Sequence, residues 1–143
     1  MIKQLSAHGI IASGSFVDGI TKTIGKKDND SIVFKVRMGC FQTNISLLKV
    51  HKSISDFNRK KVAEVIFAGI FFHRVKGKEY AIKSQRIQDK NHRVYNSSLN
   101  NILQEYFFCK IAAVLRFGPK TDNIFGYDLV CYEGRVEFAM ELC

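Results

Sequence analysis

The sequence predicts an α+β fold, in which several strand-like segments precede and follow one long helix. Three observations predict it. Apolar, β-branched segments are separated by turn-forming residues, apolar residues recur at helical spacing over residues 99–114, and Glu133-Gly134 separates two strand-like segments near the end. A chain of 143 residues with 46% hydrophobic side chains can bury one core.

The first 61 residues predict a β-rich N-terminal extension. Strand-like stretches at residues 9–14 and 31–36 are separated by a turn rich in Gly, Lys, Asp and Asn at residues 25–30. Residues 41–50 fit either a strand or a helix, and residues 53–61 fit a polar connector or the start of a short helix. We therefore expect two parts, residues 1–61 and residues 62–143.

The second part opens with strands. Residues 62–75 are apolar and β-prone, with Gly69 as a break or bulge, and a turn at residues 76–79 leads into a strand that contains Ala81 and Lys83. Two further strands are expected at residues 125–132 and 135–142, joined by a tight turn at Glu133-Gly134.

The long helix is predicted between a serine cap and a glycine-proline stop. Ser97 or Ser98 can cap its start, and Gly118-Pro119 can end it. Its apolar surface is wider than one stripe, so the helix should be buried on more than one side. The residues at helical spacing are Leu99, Ile102, Leu103, Tyr106, Phe107, Lys110, Ile111 and Val114.

Lys83 and Glu105 are a candidate ion pair between the sheet and the long helix. Glu105 is the only acid between residues 97 and 115, where most side chains are apolar. A carboxylate in such surroundings either reaches solvent or meets a cation, because an unpaired buried charge is costly. Lys83 ends an apolar strand upstream, so we expect the ammonium and the carboxylate to face each other between the sheet and the helix. The alternative is that each side chain faces solvent.

The order of these elements resembles the N-terminal lobe of a eukaryotic-type (serine/threonine) protein kinase that ends at the hinge. Tyr80-Ala81-Ile82-Lys83 is similar to the V-A-I-K motif of the family's third strand, Glu105 to its helix acid, and residues 138–143 to its fifth strand and hinge. The resemblance covers residues 62–143. It implies a twisted antiparallel sheet with one long helix packed on it. It also implies that Lys83 and Glu105 are the catalytic residues, of which the lysine holds the ATP phosphates and the acid fixes the lysine.

The resemblance also implies a nucleotide site. Ala81 would leave room for adenine, Met140 stands at the gatekeeper position, and residues 141–143 stand at the hinge. The glycine-rich loop is reduced, because two of its three glycine positions fall on Glu64 and Ile66. The implied cofactor-binding residues are Gly69, Ala81, Lys83, Met140, Glu141 and Cys143.

The motifs that the family uses for chemistry beyond the hinge are not in the sequence, which contains neither H-R-D nor D-F-G. We therefore expect an ATP-binding small lobe, truncated or split, that binds ATP weakly or only with a C-lobe, and Mg only with ATP. A C-lobe or another protein is the expected partner, on an exposed apolar underside formed by Phe67, Met140 and Leu142. Residues 14–35 also resemble a glycine loop and a lysine strand, so a degenerate repeat remains open.

Charge and cysteine usage restrict the alternatives. The basic residues behind the net charge of +9 are scattered in runs of at most three, so we do not expect nucleic acid as the partner. A small basic protein-interaction module without nucleotide chemistry is the main alternative. The four cysteines have no C-x-x-C spacing, so we expect reduced thiols, no metal site and an intracellular, cytoplasmic location, with the nucleus left open. No segment is long and apolar enough to predict a membrane span.

Overall fold

The structure is a computed structural model that describes residues 2–12, 18–24, 31–49, 60–65, 68–75, 77–87, 92–124, 126–132 and 134–141. In these residues there are two helices, α1 (Ile2–Ala7) and α2 (His92–Val114). The strands are β1 (Ile11–Ala12), β2 (Gly19–Ile24), β3 (Ser31–Met38), β4 (Phe41–Lys49), β5 (Lys60–Val65), β6 (Ala68–Val75), β7 (Lys78–Arg86), β8 (Thr121–Asp122), β9 (Leu129–Tyr132) and β10 (Arg135–Glu141).

All of these strands belong to one sheet. Eight of them lie side by side in the order β2-β3-β4-β9-β10-β7-β6-β5, while β1 pairs with β4 and β8 pairs with β10. The predicted α+β class is confirmed. The described strands of residues 62–143 pair with one another in antiparallel fashion, as expected. The parallel pairing joins β9 to β4 of the N-terminal part, with Leu47 beside Leu129, and it was not predicted. The short helix α1 was not predicted.

The N-terminal strands follow the alternation of the sequence. In β4, Thr43, Ile45 and Leu47 are buried in turn, which settles residues 41–49 as a strand rather than a helix. Of the stretch predicted at 9–14, residues 11 and 12 form β1, Gly9 takes a positive φ of 77° in the turn before it, and residues 13 and 14 lie outside the described residues. The turn at 25–30 and residues 53–59 of the predicted connector lie outside the described residues, whereas residues 60 and 61, which were assigned to the same connector, begin β5.

Helix α2 is longer at its start than predicted. It begins at His92, so Ser97 and Ser98 lie within it and the predicted serine cap is wrong. Its end is closed by Arg116, which adopts a φ of 63°, while the Phe117 N–H donates to the Ala112 carbonyl at 2.7 Å. This is a Schellman motif with arginine in the left-handed position, so the stop predicted at Gly118 occurs two residues earlier.

The main core lies between α2 and one face of the sheet. Side chains from α2 pack there with buried residues of strands from both halves of the chain, and Leu5 of α1 joins them. Strands on either side of residue 61 therefore share one core, and the division into residues 1–61 and 62–143 stays a prediction about sequence organisation. The fully or almost fully buried members include Phe34, Val36, Ile45, Leu47, Ile102, Leu103, Tyr106, Phe107, Leu129, Val136 and Phe138.

Candidate functional site

Three of the predicted site residues share one face of the sheet. Ala81 and Lys83 lie two positions apart on β7, so their side chains leave the sheet on the same side. In the neighbouring strand β10, Met140 pairs with Ala81 and Phe138 pairs with Lys83. Phe138 belongs to the core that α2 covers, which places Ala81, Lys83 and Met140 on the helix-facing side.

The predicted contact between Lys83 and Glu105 is confirmed. The Lys83 Nζ donates a hydrogen bond to the Glu105 Oε1, and the two groups form an ion pair between β7 and α2. The two side chains are 23% and 38% exposed, so the pair is reachable from solvent. Gln85, also on β7, donates from its Nε2 to the Ser98 carbonyl at 3.3 Å, which ties the early part of α2 to the same strand.

Burial and neighbouring groups shift the pKa of Lys83 and of the nearby Cys109. Burial lowers the pKa of the Lys83 ammonium, and the Cys109 thiol acts in the opposite direction. The contacting carboxylate of Glu105 favours the charged ammonium. Burial raises the pKa of the Cys109 thiol, and Lys83 partly offsets that rise. The sequence analysis did not place Cys109 at this site. Its position four residues after Glu105 puts it on the same face of α2, which is the pattern that could have indicated it.

The residues implied for the hinge and the glycine loop are only partly described. Glu141 ends β10, its backbone N–H donates to the Lys120 carbonyl at 2.7 Å, and its carboxylate lies 3.6 Å from the Lys78 ammonium. The backbone N–H of Glu141 is therefore already hydrogen-bonded within the chain. Gly69 lies in β6, paired with Ser84 of β7, the residue next to Lys83. Cys143 of the implied hinge, and Phe67 and Leu142 of the predicted apolar underside, lie outside the described residues.

Two large apolar side chains lie open beside Lys83. Ile70 and Phe72 of β6 pair with Lys83 and Ala81, and they are 37% and 43% exposed. Paired residues of an antiparallel ladder share a face, so these side chains lie on the same side as the lysine. A cation next to an open apolar surface suits a ligand that joins a flat ring to an anionic group. Alternation within residues 68–75 is the signal that could have identified them.

A second polar cluster anchors α2 at the residue after Glu105. The Tyr106 hydroxyl donates to the Asp128 Oδ1 at 2.8 Å, and the Asp128 Oδ2 accepts from the Ser46 N–H and hydroxyl at 2.9 and 3.1 Å. Tyr106 is 1% exposed. Burial raises the pKa of its phenol, and the neighbouring Asp128 carboxylate raises it further. Sequence reasoning placed Tyr106 in the core but missed this network.

An apolar pocket of about 540 Å³ lies along the C-terminal half of α2. Phe108 and Phe117, which are 67% and 83% exposed, form part of its wall together with Met38 and Phe41 from the β3–β4 hairpin. None of the predicted site residues lines this pocket. It is therefore a feature separate from the Lys83–Glu105 pair.

The residues that the structure describes contain no cluster of three or more His, Cys, Asp or Glu side chains suited to a metal ion. Over those residues, neither helix has the length and apolarity to cross a bilayer.

No protein-family model, no curated protein and no solved structure matches this chain. Function therefore has to be inferred from the side chains that the fold brings together.

Proposed function

We propose that this chain is the ATP-binding small lobe of a serine/threonine-type protein kinase, truncated or split, and unable to transfer phosphate by itself. The observation that carries the proposal is the contact between Lys83 and Glu105 across the interface of β7 and α2. In the family that the sequence resembles, this ion pair holds the lysine where the nucleotide phosphates will lie.

The order of the elements gives a second line of support. Counting from β5 and leaving out the two-residue β8, the lysine is on the third strand, α2 follows it, and β10 is the fifth strand. Strands β7 and β10 are neighbours, so the lysine strand lies directly beside the strand that leads to Met140 and Glu141. This is the arrangement that the resemblance implies.

The side chains around Lys83 suggest how a nucleotide would be held. The ammonium would meet the α- and β-phosphates, and Glu105 would keep it extended towards them. Ala81, which is 6% exposed, would leave room for the adenine ring, with the exposed Phe72 beside it. Magnesium would arrive with the phosphates, since the described residues offer no metal cluster of their own.

Binding should be weak, and catalysis should need a partner. Small-molecule sites usually bury most of their ligand, and this arrangement offers one wall. The H-R-D and D-F-G motifs, which supply the base and a metal ligand in the family, do not occur in the sequence. A C-lobe or another protein that covers the site would have to provide those groups.

Calorimetric titration with Mg-ATP tests the proposal. We expect a dissociation constant in the high micromolar range or weaker, which corresponds to roughly −5 kcal/mol. Lys83→Ala should abolish the binding. Lys35→Ala is the matched control, because Lys35 alternates with the buried Phe34 and Val36 on β3 and so leaves the sheet on the other face. Binding that survives Lys83→Ala, or that is lost with Lys35→Ala, would refute the proposal.

A further inference from the structure

We propose that Tyr106 is a positioning residue whose hydrogen bond to Asp128 holds α2 at the rotation that presents Glu105 to Lys83. The inference concerns the site of the proposed function and gives the ion pair a second support. It also makes part of the N-terminal 61 residues necessary to that site, because Ser46 of β4 helps to fix Asp128.

The Asp128 carboxylate is held on both of its oxygens. One oxygen accepts the Tyr106 hydroxyl at 2.8 Å, and the other accepts two hydrogen bonds from Ser46. The Asp128 N–H in turn donates to the Ser46 hydroxyl at 3.0 Å. Hydrogen bonds to a charged acceptor are among the stronger ones in proteins. The Tyr106 hydroxyl is therefore bonded to a carboxylate that Ser46 of β4 holds in place directly before β9 begins.

The ring of Tyr106 also touches the lysine side of the sheet. Its centroid lies 5.3 Å from that of Phe138, and the two rings are inclined at 76° in an edge-to-face contact. Phe138 pairs with Lys83 in the β7–β10 ladder. Tyr106 thus connects α2 to two partners. Its hydroxyl bonds the Asp128 carboxylate, and its ring packs against the strand next to Lys83.

Because Glu105 and Tyr106 are consecutive residues of α2, a hydrogen bond that fixes Tyr106 also fixes the position of Glu105. Consecutive residues of an α-helix are about 100° apart around the axis and about 1.5 Å apart along it. A rotation or a slide of α2 that removes Glu105 from Lys83 therefore also withdraws the phenol of Tyr106 from Asp128. Because Tyr106 is 1% exposed, water does not readily replace the lost acceptor. The two contacts should form and break together.

Competitive labelling of amines at a series of pH values tests this coupling without any nucleotide. An amine-acylating reagent reacts with neutral lysine, so mass spectrometry of the Lys83 peptide reports the pKa of that ammonium. Glu105 and Cys109 are the titratable groups that the structure places against Lys83 among the described residues. Glu105→Gln should raise the labelling rate near neutral pH by about tenfold, which corresponds to one pKa unit, because burial remains while the carboxylate is lost.

The decisive variant is Tyr106→Phe, which keeps the ring and removes the hydroxyl. We expect it to raise the labelling rate of Lys83 in the same direction as Glu105→Gln, and the double variant should react no faster than Glu105→Gln alone. Labelling of Lys35 is the internal control and should stay unchanged. A folded Tyr106→Phe protein with unchanged Lys83 labelling overturns the proposal, even if its thermal stability falls.

Ser46→Ala covers the case in which Tyr106→Phe does not fold. It removes both hydrogen bonds between the Ser46 hydroxyl and Asp128, keeps the one from the Ser46 N–H, and leaves Tyr106 intact. A faster reaction of Lys83 in this variant supports the positioning role, and an unchanged rate overturns it. Since no nucleotide is present, a failure of ATP binding in calorimetry does not affect either outcome.

Discussion

The orientation of α2 can be tested by replacing Phe107 with alanine. Phe107 is fully buried in the core between α2 and the sheet. Deleting a buried phenylalanine side chain in this way costs about 3–5 kcal/mol, because the transfer free energy of the ring is lost and a cavity remains. For a domain of this size, each kcal/mol lowers the midpoint of thermal unfolding by about 2–4 °C, so a fall of about 10 °C is expected.

Phe108→Ala is the matched control, since it makes the same change one residue further along the same helix. Phe108 is 67% exposed. Substitutions at such surface positions usually change the free energy of unfolding by less than about 0.5 kcal/mol. Alanine is also a better helix former than phenylalanine, which offsets part of the lost contact.

Urea unfolding of both variants, followed by circular dichroism, measures the difference. The expected result is a loss of several kcal/mol for Phe107→Ala and almost none for Phe108→Ala. Equal losses, or a larger loss for Phe108→Ala, would mean that α2 is turned by about 100° from the orientation described here. Glu105 would then not face Lys83, and the reasoning about the site would be refuted.

Three further predictions test local features of the fold. Gly134→Ala should lower the free energy of unfolding in urea by about 1–3 kcal/mol, because φ is 72° there and the new Cβ would lie 3.2 Å from the Ile87 carbonyl oxygen. Gly39→Ala is the control and should lower it less, because φ is 59° there and the new Cβ would meet open space. Arg116→Gly should stabilise the fold by about 0.5–1 kcal/mol, and so raise the midpoint of thermal unfolding, because glycine adopts the φ of 63° at this position more readily than arginine. A lower midpoint would contradict the assignment of a Schellman motif. Burial raises the pKa of the Cys131 thiol above its ordinary 9.0, so the folded state keeps that proton and the thiol's contribution to stability is lost as pH rises through the raised value. Cys131→Ala should flatten this alkaline decline in urea unfolding, and an unchanged slope would exclude Cys131 as its source.

The features that the sequence predicted well depend on residues close together in the chain. Alternation along β7 and β10, and the isolated acid in an apolar helix, are local patterns that require little knowledge of the rest of the fold. Together with the resemblance, they led to the prediction that Lys83 and Glu105 face each other, which the structure confirms. The roles of these two residues in binding a nucleotide stay predictions.

The missed features depend on partners that are distant in sequence. Ser46 and Asp128 are 82 residues apart, and their hydrogen bonds exist because β4 and β9 run parallel in the middle of the sheet. Hairpin signals predict antiparallel neighbours and give no information about such a pairing. The end of α2 was misplaced for another reason, since Arg116 takes the left-handed conformation that usually indicates glycine.

The central claim is that the Lys83 amine lies where the phosphates of a bound nucleotide would be. An acyl-phosphate derivative of ATP tests it most directly, because a lysine next to the phosphates attacks the acyl carbonyl, keeps the acyl group and releases the nucleotide. Peptide mass spectrometry then identifies the acylated residue. We predict acylation concentrated on Lys83 and suppressed by excess Mg-ATP. Acylation that is spread over exposed lysines such as Lys78 and is unaffected by Mg-ATP would contradict the account.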